Sequence, residues 1–124
     1  MSEILKFTGV VESLSKGEIP KVYIATITSD DGVYRTTMDV HEDLKVFDEG
    51  DKVEISISTK LPNYVKGKDF VGRGVLYVRR IVSEGVMKIQ ISIGGLQLTV
   101  VGPVDKMPEI SEVPLNVYVK ASKL

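Results

Sequence analysis

From Asp69 to Val101 the chain reads DFVGRGVLYVRRIVSEGVMKIQISIGGLQLTVV. This run divides into strands and tight turns. A first strand, Asp69 to Val82, ends at Ser83-Glu84-Gly85. A second, Val86 to Ile93, ends at Gly94-Gly95, and a third returns from Leu96 to Val101. Two apolar runs joined by Gly-Gly signal a hairpin, because its turn needs positive φ at both central residues. On the second strand Met87, Ile89, Ile91 and Ile93 alternate with Lys88, Gln90 and Ser92. That is the period of a sheet with one buried face. Leu96, Leu98 and Val100 continue it inward on the third strand, with Gln97 and Thr99 outward. Phe70, Gly72, Gly74, Leu76 and Val78 form the expected core face of the first strand, its glycines marking a bend or a close backbone approach.

The remaining segments supply partners for this meander. Glu3 to Leu14 alternates, with Leu5, Phe7, Gly9 and Val11 on one side, and the adjacent Val10 and Val11 suggest a bulge near Gly9. Lys21 to Thr28 is rich in β-branched and aromatic residues. After the turn Asp30-Asp31-Gly32, Val33 to Val40 is a strand with Tyr34, Thr36, Met38 and Val40 inward. Asp39 to Phe47 is the one place for a short helical turn, ended by Gly50-Asp51. Lys52 to Thr59 points Val53, Ile55 and Ile57 inward. Leu61 to Lys68 is a loop, as is Gly102 to Ser111. A last strand runs from Val113 to Val119, with Val113, Leu115, Val117 and Val119 inward. About eight short strands with no long helical period predict an all-β fold. Glycines inside strands favour a curled sheet, so the expected fold is an OB-like antiparallel Greek-key barrel with one short helical turn.

The 124 residues fit a single domain, 1–124. Without cysteine there is no disulfide framework, thiolate metal site or thiol nucleophile. The absence of a signal-peptide pattern or a membrane-length apolar run leads us to expect a soluble, cytoplasmic protein. A net charge of −1 gives no bulk attraction to nucleic acid.

His41 is the only histidine, beside Asp39, Glu42 and Asp43. Capping of free N–H groups at a helix start, by Asp39 or a neighbour, explains this cluster better than a metal does. No nucleophile elbow surrounds any serine. Gly72-Arg73-Gly74 lies inside a strand, not between a strand and a helix, and so lacks the setting of a phosphate loop. No catalytic residue, cofactor, metal or small-molecule substrate is expected. The sharper feature is an outward row of Arg73, Val75, Tyr77 and Arg79, all at odd positions of one strand. Arg and Tyr concentrate where protein interfaces draw their binding energy. The same residues could stack bases and hold phosphates, with Lys66 and Lys68 upstream. The plain alternative is a wet strand face whose long side chains cover apolar neighbours. Tyr118, which projects opposite Val117 and Val119, is a weaker contact candidate.

In order along the chain, several landmarks resemble one family. They are Asp39-Val40, Phe47, Gly50-Asp51-Lys52, Ser58-Thr59 with Leu61, Gly74 and Tyr77, Ile93-Gly94-Gly95-Leu96, Val117-Tyr118 and Ser122-Lys123-Leu124. The family is the eighth subunit shared by the eukaryotic nuclear RNA polymerases, with its archaeal counterpart, the G subunit (RpoG). Before Val33 only the strand pattern is similar. The nuclear subunits carry a long acidic insertion where this chain has the short loop Leu61 to Lys68, which points to the archaeal form. The resemblance implies an OB-like barrel with no active site of its own. It also implies a peripheral position on DNA-directed RNA polymerase, bound to the largest subunit and supporting assembly or stability. The rival is a free-standing OB module that binds single-stranded nucleic acid through Tyr77 and the nearby cations.

Overall fold

In the computed structural model residues 3–124 are described. They form β1 (Glu3–Lys16), β2 (Val22–Ser29), β3 (Arg35–His41), β4 (Lys52–Ser58), β5 (Asp69–Ser83), β6 (Val86–Ile93), β7 (Leu96–Pro103) and β8 (Leu115–Lys123). The sheet closes into a barrel in the order β1-β2-β3-β7-β6-β5-β8-β4. Every pair is antiparallel. Among the described residues no helix is long and apolar enough to cross a membrane.

The topology contains the same unit twice. In each half a three-strand meander is followed by a 3₁₀ turn, Glu42–Leu44 or Val104–Lys106. A fourth strand then returns beside the first: β4 beside β1, and β8 beside β5. Each half is thus a Greek key. The register carries the same symmetry. Val11 pairs with Ile27 as Leu76 pairs with Ile91. The seam between the halves, Thr36 opposite Val100 and Met38 opposite Leu98, maps onto itself when they are exchanged. So does the other seam, Ile55 opposite Ala121 and Ile57 opposite Val119.

Alternation predicts the core well. Val11, Ile27, Val53, Ile55, Ile57, Leu76, Ile89, Ile91, Leu98, Val100 and Val119 are wholly buried. Phe47 and Met107 enter from the two connections that follow the 3₁₀ turns. Each half also has a glycine shortly before its bulge, Gly9 before Glu12 and Gly74 before Tyr77. A Cβ on Gly9 would collide with the Thr28 carbonyl oxygen, and one on Gly74 would lie 2.7 Å from that of Ser92.

Several expectations need correction. The β1 bulge lies between Val11 and Ser13 rather than near Gly9, with Glu12 as the extra residue. A second bulge, between Leu76 and Val78, makes Tyr77 extra in β5. It turns Val78 outward, opposite Gln90, although alternation placed it inside. β3 begins at Arg35 rather than Val33, because side chains shape the preceding turn. Asp31 Oδ1 accepts from Val33 N at 3.0 Å, and Ser29 Oγ accepts from Tyr34 N at 2.8 Å. β8 is shifted to Leu115–Lys123, since Ala121 continues the buried alternation between β4 and β5 while Val113 is exposed. The 3₁₀ turn Val104–Lys106 falls within the expected loop.

This packing sets the outcome of two substitutions. In Gly74→Ala the new methyl meets a backbone oxygen that no rotamer change can move. We expect a loss of about 1–3 kcal/mol in urea unfolding. Thr36 is fully buried and its hydroxyl has no hydrogen-bond partner. Thr36→Val should therefore raise stability by about 1 kcal/mol, read as a higher unfolding midpoint.

Candidate functional site

The outer face of β5 is built by its neighbours. Arg73 lies directly opposite Tyr118 on β8, and Val75 lies between Ser92 on β6 and Asn116 on β8. Residues paired in this way share a face. Arg73, Val75 and Tyr118 therefore form one outward patch. Tyr77, set out by the bulge, joins it from the end. Its hydroxyl donates to Gln97 Oε1 at 2.5 Å, reaching over β6 to β7. Gln97 N in turn donates to Asp39 Oδ2 at 2.9 Å on β3. Tyr77 as a whole remains 41% exposed, so the bond orients it without burying it.

Arg79 does not belong to this patch. Beyond the bulge it stands opposite Ile89, a wholly buried residue, and so shares the inner face. Its Nε donates to Pro108 O at 3.1 Å, fastening the β7–β8 connection across the barrel mouth. Odd-number counting failed here because one extra residue reverses every side chain after it.

Beside Arg73 and Tyr118 an open groove of about 470 Å³ is lined by Leu44, Leu61, Tyr64 and Phe70, among others. Leu44, Leu61 and Tyr64 are 53%, 58% and 49% exposed. Leu44 ends the 3₁₀ turn, and Leu61 and Tyr64 come from a loop without periodicity. The only sequence signal for them was large apolar residues among turn formers. The groove's lining carries charges of both signs, Lys45, Lys66 and Arg73 with Asp43 and Asp69.

The loop wall is held by charged groups. Asp69 Oδ2 accepts from Val65 N at 2.9 Å, Asp69 N donates to Val65 O at 2.9 Å, and Lys120 Nζ donates to Asn63 O at 2.6 Å. The Val65 N–H holds the Asp69 carboxyl below the usual carboxylate range, helped by the positive charge of Lys120. The opposite wall starts at His41, whose Nδ1 accepts from Asp43 N at 3.1 Å. His41 rather than Asp39 is the cap, because Asp39 is engaged with Gln97. Among the described residues no group of three or more His, Cys, Asp or Glu side chains is placed to hold a metal.

The Asp69 clamp has a pH signature. A carboxyl whose folded-state pKa is depressed contributes stability that is full above its unfolded value. That contribution is lost as pH falls through the folded value. Wild-type protein should therefore lose more stability than Asp69→Asn between about pH 5 and pH 2, in acid titrations followed by thermal melting. Equal losses would mean that the clamp contributes nothing.

The chain matches the family described as the G subunit of DNA-directed RNA polymerase over residues 4–122, from β1 into β8. It is also similar to the DNA-directed RNA polymerase subunit Rpo8 of Sulfolobus acidocaldarius. That relative is 27% identical over 93 residues, a stretch that covers 75% of each chain.

Proposed function

The chain belongs to the family of the DNA-directed RNA polymerase G subunit, and on that premise we propose that it is a non-catalytic accessory subunit of the archaeal enzyme. It binds the largest subunit at the periphery and supports assembly or stability in the cytoplasm. The contact surface is the outward patch of Arg73, Val75, Tyr77 and Tyr118, extended by the groove beside it. The observation that supports this choice is the exposed apolar and aromatic lining, Leu44, Leu61 and Tyr64, next to Arg73 and Tyr118. Large exposed apolar side chains gathered around an Arg and two Tyr have the composition of an interface centre.

A non-catalytic role accords with how the polar side chains are used. His41 caps a turn, Asp69 clamps a loop and Asp39 secures Gln97. Each holds backbone rather than facing an open reaction site. The single-stranded nucleic-acid reading loses part of its basis. It rests on Tyr77 and the nearby cations, and the bulge carries one of these, Arg79, to the other face.

The test is capture of the purified large subunit by the full chain. Truncating an Arg or Tyr at the centre of an interface costs about 2 kcal/mol or more. The Arg73→Ala/Tyr118→Ala double variant should therefore bind about thirtyfold more weakly or worse, with its thermal unfolding close to that of wild type. Unchanged affinity would reject this patch as the contact. Failure of the wild-type chain to co-purify with polymerase would reject the subunit role.

A further inference from the structure

β5 outruns one of its neighbours. Its pairing with β8 stops at Leu76 opposite Leu115, while its pairing with β6 continues to Ser83 opposite Val86. From Tyr77 to Ser83 one edge of β5 therefore has no strand beside it. The first half of the barrel is built in the same way. β1 pairs with β4 only as far as Val10, but with β2 to Lys16.

The two halves treat this edge differently. In the first, the connection before β4 closes it. Val11 N donates to Asp51 O at 3.0 Å, Gly50 N to Val11 O at 2.8 Å, and Leu14 N to Glu49 Oε1 at 3.2 Å. In the second, the link is a side chain, Arg79 to Pro108 O. Among the described residues no backbone–backbone hydrogen bond joins 104–114 to the stretch from Tyr77 to Ser83.

Open backbone donors and acceptors on a strand edge are a template for another strand. The edge carries one exposed charge, Arg80, beside two exposed apolar side chains, Ile81 at 63% and Val82 at 46%. Charge indicates what fits. Arg80 stands directly opposite Lys88. Among the described residues neither forms an ion pair. Like charges facing each other across a ladder repel, and an anion lying against both relieves the repulsion.

We propose that the free edge of β5 accepts an extended segment of a partner protein as an added strand. One acidic side chain of the segment lies against Arg80 and Lys88, and an apolar one lies against Ile81. A second copy of this chain fits poorly, because self-pairing gathers two Arg80–Lys88 pairs on one ribbon with no acid between them. Under the function proposed above the segment belongs to the polymerase's large subunit, and to that extent the inference rests on that reading.

Hydrogen–deuterium exchange on the full chain, alone and assembled into polymerase, tests this, with co-purification read in parallel. The outward amides between Val78 and Val82 should exchange freely in the isolated chain and slow by about tenfold or more in the assembly. Arg80→Glu should weaken association by about tenfold, while Arg80→Lys keeps it. If the chain co-purifies but these amides stay fast, strand addition is overturned and the subunit role stands. If the chain does not co-purify, the subunit role fails and its large-subunit occupant with it. If the amides are already slow in a dimer of the isolated chain, the occupant is a second copy and the proposal is wrong.

Discussion

An open sheet has two edges, and buried backbone groups must find partners. This barrel meets that constraint at two seams, β3 against β7 and β4 against β8. Closure depends on them, and so does the interior that holds the apolar faces of all eight strands. The close backbone approaches at Gly9 and Gly74 come from the same geometry. At each, the neighbouring strand's carbonyl stands where a Cβ would be.

The bulges at Glu12 and Tyr77 are the structural device that gives the surface its form. Each adds one residue to a long strand, and each sits near the point where one neighbour of that strand ends. A bulge increases local twist and re-aims the side chains beyond it. In β1 it brings Leu14 opposite Ala25, inside the barrel. In β5 the corresponding position is Arg79, opposite Ile89, and its guanidinium holds the covering loop. The two halves thus share a backbone plan and differ in side chains. They differ also in what meets the edge: backbone of the connection before β4 in one, the Arg79 side chain alone in the other.

The groove and the outward patch owe their shape to polar bonds from loops. Asp69 and Lys120 hold one wall, and His41 shapes the start of the other. Tyr77, Gln97 and Asp39 tie three strands together across the outer surface. These contacts join residues far apart in the chain. Their contribution is to hold exposed apolar side chains in one place, not to strengthen the core.

Alternation in the sequence determined the all-β class, the strand count and nearly every core residue. Period-two burial leaves its mark on each strand separately, and Gly94-Gly95 specifies its own turn. The landmarks from Asp39 to Leu124 also determined the family. The twofold repetition of the Greek key was not legible. It lies in pairing register, and the equivalent positions Leu14 and Arg79 share no chemistry. Of the outward row, Arg73, Val75 and Tyr77 were read correctly from parity, and Tyr118 from its buried neighbours. Arg79 was misplaced because nothing local announces a bulge: the extra residue is extra only relative to β6. The groove, the Asp69 clamp and the open edge of β5 were likewise decided by tertiary structure alone. Each depends on where a second segment ends or folds back, and a strand's own sequence carries no record of its neighbour's length.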